Sequence, residues 1–232
     1  MSLSTIHREM TALADPSRVA VVQRYFKTAP GEYGAGDRFL GISVPTVRKV
    51  AVTHQALPPR ALAGLLKSRW HEERLLALLI LVRQYERGTP ARREAIYRLY
   101  MRSTARINNW DLVDCSAPQI VGAHLYDGNR NRLRRLARST RVWERRIAIL
   151  ATFVYIRRDQ FDDTLAIARV LLDDPHDLIH KAVGWMLREV GKRNRAIEEA
   201  FLRRHAARMP RTMLRYAVER FPPRLRRRYL AA

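Results

Sequence analysis

Trp110 and Asp114 stand four residues apart in the segment NNWDLVD (108–114), a spacing that puts both side chains on one face of a helix. A carboxylate beside an indole can stabilise a cationic transition state, because the ring face carries a negative quadrupole and the carboxylate a full charge. The same aspartate, close to a helix start, could equally serve the helix dipole. Asn108 or Asn109 is the natural N-cap, and Pro118 should kink or interrupt the helix soon afterwards.

A second group lies in DLIHKAVGWMLREVGK (177–192). Ile179, Val183, Met186 and Val190 step by four, three and four, which is the buried stripe of a helix. Lys181, Trp185, Arg188 and Lys192 follow the same rhythm on another face. A tryptophan flanked by cations off the core face resembles a phosphate-tracking surface with an aromatic platform. The alternative is a tryptophan packed on a neighbouring helix among solvated cations.

Residues 130–146 carry eight arginines against one acid, Glu144, while Leu133, Leu136, Val142 and Ile147 keep the segment structured. Its arginines, Arg145 among them, would line the exposed side. Arg146 falls between the core stripe and solvent, where it could pair with an acid or reach a phosphate. From Arg188 to Arg228 there are fourteen cations and four glutamates, so two basic stretches favour a charged groove over a uniform coat. His176 and His180 have a four-residue spacing, but no third ligand accompanies them, so no metal site is expected. P-loop, dinucleotide, HExxH and GxSxG patterns are all missing.

The elements that must position these residues read as helices throughout. Apolar residues recur at three- and four-residue spacing, and turn chemistry breaks the chain at residues 29–36, 57–59, 87–90, 127–129, 173–175 and 221–223. The pattern predicts about a dozen helices of roughly 10 to 17 residues, with Pro45 in the first turn of one of them. Several read as antiparallel pairs, and Trp110, Trp143 and Trp185 recur at a spacing close to that of HEAT-type repeats. No composition shift marks a boundary, so residues 1–232 are taken as one domain.

The chain of 232 residues carries a net charge of +22, for which a polyanionic partner is the natural reading. An arginine-rich composition inherited from a GC-rich genome would be the bland source of that charge. The longest apolar run, Leu75 to Val82, is too short to span a membrane, and the polar start does not read as a signal peptide. The single cysteine, Cys115, permits no internal disulfide. A cytoplasmic protein is expected.

Several segments in order resemble the AlkD-like DNA alkylation repair proteins, bacterial glycosylases built from HEAT-like repeats. They are GEYGAGDRFLGISVPTVRKV (31–50), NNWDLVD (108–114), WERRIAIL (143–150), HKAVGWMLREVGK (180–192) and PRTMLRYAVERF (210–221). The resemblance implies an all-α solenoid of HEAT-like antiparallel helix pairs with a basic concave DNA-binding face. It places Trp110 and Asp114 at the lesion, carries a second lesion-facing tryptophan to Trp185, and an arginine to Arg146. Tyr33 is the nearest candidate for an N-terminal aromatic at the site. Phosphates would be held by Arg146 and Arg145 with Lys181, Arg188 and Lys192. The NWD here differs from the WWD of some members, which bears on lesion preference.

The resemblance also implies a monofunctional glycosylase acting as a monomer, without metal or small-molecule cofactor, on duplex DNA containing alkylated purines. It would work near the nucleoid and would not insert the damaged base into a deep pocket. Two rivals stand beside it. A non-catalytic binder of bent, branched or damaged DNA would keep the basic face and be indifferent to Asp114. A helical scaffold for a protein partner would show a mixed-sign or apolar face and weak salt dependence.

Overall fold

The structure is a computed structural model that describes residues 3–231. Among these residues every regular element is helical, and extended pairing is limited to one isolated bridge, Arg38 to Trp70. The chain divides into two compact units between Ser116 and Ala117.

The first unit contains α1 (Leu3–Ala12), α2 (Pro16–Tyr25), α3 (Val44–Thr53), α4 (Pro59–Leu66), α5 (His71–Arg87), α6 (Pro90–Arg102) and α7 (Trp110–Asp114). Helix starts follow local chemistry. Asp15 caps α2 by accepting from the Ser17 amide, Ser43 caps α3 ahead of Pro45, and Thr89 caps α6 ahead of Pro90. The apolar run predicted to form a core helix is the middle of α5, where Leu75 through Leu81 are all buried. Both α3 and α4 pack on α5. The four-residue link between α4 and α5 turns the chain back on itself, the HEAT-like pairing that the sequence suggested. Gly41 sits at φ +81°, and a Cβ there would fall 2.1 Å from the Asp15 carbonyl oxygen. No other residue fits that approach of the loop to the start of α2.

The second unit contains α8 (Ala123–Leu125), α9 (Asn131–Ala137), α10 (Val142–Ala151), α11 (Phe153–Ile156), α12 (Asp162–Val170), α13 (Asp177–Arg193), α14 (Arg195–His205), α15 (Arg211–Ala217) and α16 (Pro223–Ala231). Its core centres on α13, whose Ile179, Val183, Met186 and Val190 are fully buried, as their spacing predicted. Helices α10, α14 and α15 pack around α13, and α9 packs on α10.

Some elements are shorter than the periodicity suggested. Helix α7 has five residues and α9 seven. Proline explains the first case: Pro118 lacks the amide that would continue an α-helical ladder, and residues Pro118–Gly122 form a π-helical turn instead. Among the described residues no helix is long and apolar enough to cross a membrane.

Candidate functional site

Helix α7 starts where Asn109 accepts a hydrogen bond from the Trp110 amide through its side-chain oxygen, at 2.8 Å. Leu112 and Val113 bury the inner face of this short helix completely. Its other face opens on a cavity of about 530 Å³ in the first unit, lined by both Trp110 and Asp114. The two residues singled out by spacing therefore share one surface.

Aromatic rings build the wall. Phe26 stacks on Trp110 with centroids 5.2 Å apart, and Phe39 stacks on Phe26 in turn, also at 5.2 Å. Tyr25 meets Trp110 edge-on at 5.6 Å while remaining 63% exposed. Arg18 and Arg48, both exposed, also line this cavity, and neither is held by a described ion pair. An open aromatic recess lined by Asp114, Asp111 and Glu72 and by two exposed guanidiniums offers a cation-stabilising centre beside anion-binding groups.

Beneath the wall, the first turn of α5 is a run of four buried charged residues, His71-Glu72-Glu73-Arg74. The Glu72 carboxylate accepts from the Leu40 and Gly41 amides, each at 2.9 Å. Glu73 pairs with His7 at 2.5 Å, and Arg74 with Asp37 at 2.6 Å. His71 uses both ring nitrogens: Nδ1 lies 3.1 Å from Asp37 and Nε2 lies 2.7 Å from Asp111 on α7. Burial by itself would lower the His71 pKa. The Asp111 charge and the hydrogen bonds to Asp111 and Asp37 outweigh it and push the pKa up to about 9. Burial would raise that of Asp37, but hydrogen bonding to His71 and the positive charges of Arg74 and His71 hold it below the usual carboxylate range. Desolvation lifts the Cys115 thiol far above its ordinary range, so it is no thiolate nucleophile.

Tyr33, the aromatic expected from sequence, does not line this cavity. The Gly34 amide bonds back to the Lys27 carbonyl at 2.9 Å, closing the loop onto the end of α2. Tyr25 and Phe26, the adjacent pair that ends α2, supply the aromatic rings instead. Their position just before the Gly-rich loop was the available signal.

The basic face of α13 is less bare than its spacing suggested. Trp185 is half-buried, lies against Phe153 at 6.1 Å, and donates through Nε1 to Glu189 at 3.1 Å. Glu189 also takes Lys192 at 2.7 Å. Lys181 pairs with Asp177 at 2.7 Å, and Arg188 pairs with Glu219. Helix periodicity placed the cations on this face but overlooked Glu189, one turn beyond Trp185, as Asp114 is one turn beyond Trp110. Arg145 clasps Asp174, with Nε at 2.5 Å, and also donates to the Ser139 and Thr140 carbonyls. Arg146 is buried and donates to the Leu178 carbonyl at 2.6 Å, tying α10 to α13. The two histidines with metal-like spacing are engaged with backbone: His176 caps α13 and His180 bonds the Asp174 carbonyl. No cluster able to hold a metal ion occurs among the described residues.

Helices packed on one another through buried apolar stripes, the only regular elements among the described residues, define an all-α helical-repeat protein. The chain belongs to the DNA alkylation repair enzyme family, whose model matches residues 6–221. That membership makes alkylation repair its role and DNA its partner. Among solved structures it is similar to the predicted DNA alkylation repair enzyme from Enterococcus faecalis, at 16% identity and a TM-score of 0.68, over 90% of this chain and 97% of that one. At that identity the likeness speaks for the fold. No curated protein is significantly similar to the chain.

Proposed function

We propose that the protein is a monofunctional DNA glycosylase that hydrolyses the N-glycosidic bond of cationic purines alkylated at N3 or N7 in duplex DNA. The observation that carries this reading is the shared cavity surface of Trp110 and Asp114 on α7, walled by aromatics and lined also by Arg18 and Arg48.

A purine alkylated at N3 or N7 already bears positive charge and leaves as a neutral base, so no general acid is required. That distinguishes the task from sugar hydrolysis with two carboxylates. As the C1′–N bond breaks, positive charge develops on the deoxyribose. The Asp114 carboxylate stabilises that charge electrostatically and orients the water whose oxygen forms the new bond to C1′. The π face of Trp110 lies against the sugar and adds to the same stabilisation. The water's second proton leaves to solvent, and the products are a free alkylated base and an abasic site.

Arg18 and Arg48 hold phosphates flanking the lesion in this reading. Trp185, Lys181, Arg188, Lys192 and Arg145 contact duplex backbone in this reading, Arg146 braces α10 against α13 behind them through the Leu178 carbonyl, and a single copy of the chain acts as one domain. A salt-bridged lysine or arginine can exchange a carboxylate for a phosphate, so internal pairing does not bar this role. Product analysis tests the reading. Incubation with duplex containing N7-methylguanine or N3-methyladenine should release the modified base and leave an intact strand that breaks only on alkaline treatment. Strand cleavage without alkali would refute the monofunctional mechanism, and no base release would refute the glycosylase.

A further inference from the structure

We propose that His71 is the positioning residue of the site: bridging Asp37 and Asp111, its ring sets the rotation of α7 and so the aim of Trp110 and Asp114. This rests on the proposed function for its catalytic consequence and on geometry alone for its structural one.

A five-residue helix is far too short to be stable by itself, so its orientation comes from tertiary packing. Asp111 lies directly between the two functional residues in sequence. At about 100° per residue, fixing the direction of one side chain on so short a helix fixes the others. The Asp111 carboxylate has a single described side-chain partner. Its Oδ2 meets His71 Nε2 at 2.7 Å, while its buried Oδ1 has none. Without His71, nothing described holds that carboxylate.

The opposite side of the ring is equally engaged. His71 Nδ1 meets Asp37 Oδ2 at 3.1 Å, and Asp37 is anchored by Arg74 on the same helix as His71. Asp37 also accepts from Asn108 Nδ2 at 3.1 Å, two residues ahead of Trp110. The lead-in and the first turn of α7 are therefore both gripped by one buried network. Ring packing extends the same chain of neighbours. His71 stacks on Phe39 at 4.7 Å and leans on Phe26 at 5.0 Å, and Phe26 stacks on Trp110. Movement of the imidazole would disturb Trp110 through both routes.

Two substitutions separate positioning from mere folding. The amide nitrogen of glutamine reaches close to the place of Nε2, and that of asparagine close to the place of Nδ1. His71→Gln should therefore keep the Asp111 bond, while His71→Asn should keep the Asp37 bond and release α7. Release of N7-methylguanine from duplex is measured in single turnover at saturating enzyme, with duplex affinity and thermal unfolding followed in parallel. We expect His71→Asn to lose about 10- to 100-fold in rate, of the order seen for small misplacements of catalytic groups, and His71→Gln to remain within a few-fold of wild type. Both should bind duplex as the wild type does.

The indole N–H resonance of Trp110, assigned through Trp110→Phe, gives a readout independent of catalysis. It should shift or broaden in His71→Asn and stay near its wild-type position in His71→Gln. Equal losses in both variants, or an unmoved indole in His71→Asn, would overturn the positioning role. Absence of base release by the wild type, with the indole responding as expected, would instead overturn the glycosylase reading and leave the geometry standing.

Discussion

Glu198 offers a stability prediction that can be worked from the structure. It lies in the first turns of α14 with its residue surface 2% exposed, packed against α13 where Gly191 leaves the space. A Cβ at Gly191 would fall 1.6 Å from the Glu198 Oε2, and the Glu198 Oε1 has no hydrogen-bond partner. Burial dominates, with the Glu199 charge adding to it and Arg195 and Arg188 opposing, and the Glu198 pKa rises to about 8. In the unfolded chain the ordinary value is 4.5. The folded state therefore holds the proton more tightly, and the associated stability is fully present below pH 4.5 and is lost as pH rises through 8. Each pKa unit is worth about 1.4 kcal/mol, so between pH 4.5 and pH 7 the loss is about 3 kcal/mol. Glu198→Gln keeps the shape and removes the titration. Denaturant unfolding of both proteins at intervals from pH 4.5 to 8.5 isolates this residue by difference. The variant should gain on the wild type by about 3 kcal/mol over the first 2.5 pH units. A difference independent of pH would mean that the carboxyl is not held protonated and that the burial argument is wrong.

Replacing Arg18 or Arg48 by Gln should weaken duplex binding and reduce the slope of log affinity against log salt by about 1 for each phosphate no longer neutralised; an unchanged slope would remove them from the interface. His71 faces Asp37 and Asp111 as acids and Arg74 as a cation, with Phe26 and Phe39 against its ring. Its raised pKa of about 9 means that the doubly bonded, protonated form persists below that pH and is lost above it. The single-turnover rate should fall as pH rises through about 9, and Asp111→Asn should bring that fall toward neutrality by removing the largest opposing charge. A profile flat to pH 10 in both proteins would contradict this.

The features legible in the sequence were those that local chemistry decides. The stripe of α13, the core run in α5 and the breaks at Pro58-Pro59, Gly88 and Pro222-Pro223 come from periodicity and turn residues within a few positions of each other. Trp110 and Asp114 were legible for the same reason, being one turn apart. The network beneath them was not. His71 meets partners 34 and 40 residues away, and Glu73 meets His7 across 66. In sequence, His71-Glu72-Glu73-Arg74 looks like a solvated helix start with acids suited to the dipole. Only tertiary packing turns it into a buried hub. Arg18 and Arg48 were hidden likewise, since neither lies in a basic run and only the fold brings them to one cavity. On α13, counting cations by face concealed Glu189 because acid and base alternate along the same turns.

The central claim is that Asp114 stabilises the transition state of base release, and the most direct measurement compares wild type with Asp114→Asn on duplex methylated at N7 of guanine or N3 of adenine. The wild type should release the base, and the variant should do so at a rate at least about 100-fold lower, roughly 2.7 kcal/mol of transition-state stabilisation, with duplex affinity retained. Tight duplex binding with no release by either would leave a DNA binder in place of an enzyme. Equal rates in the two proteins would contradict the mechanism.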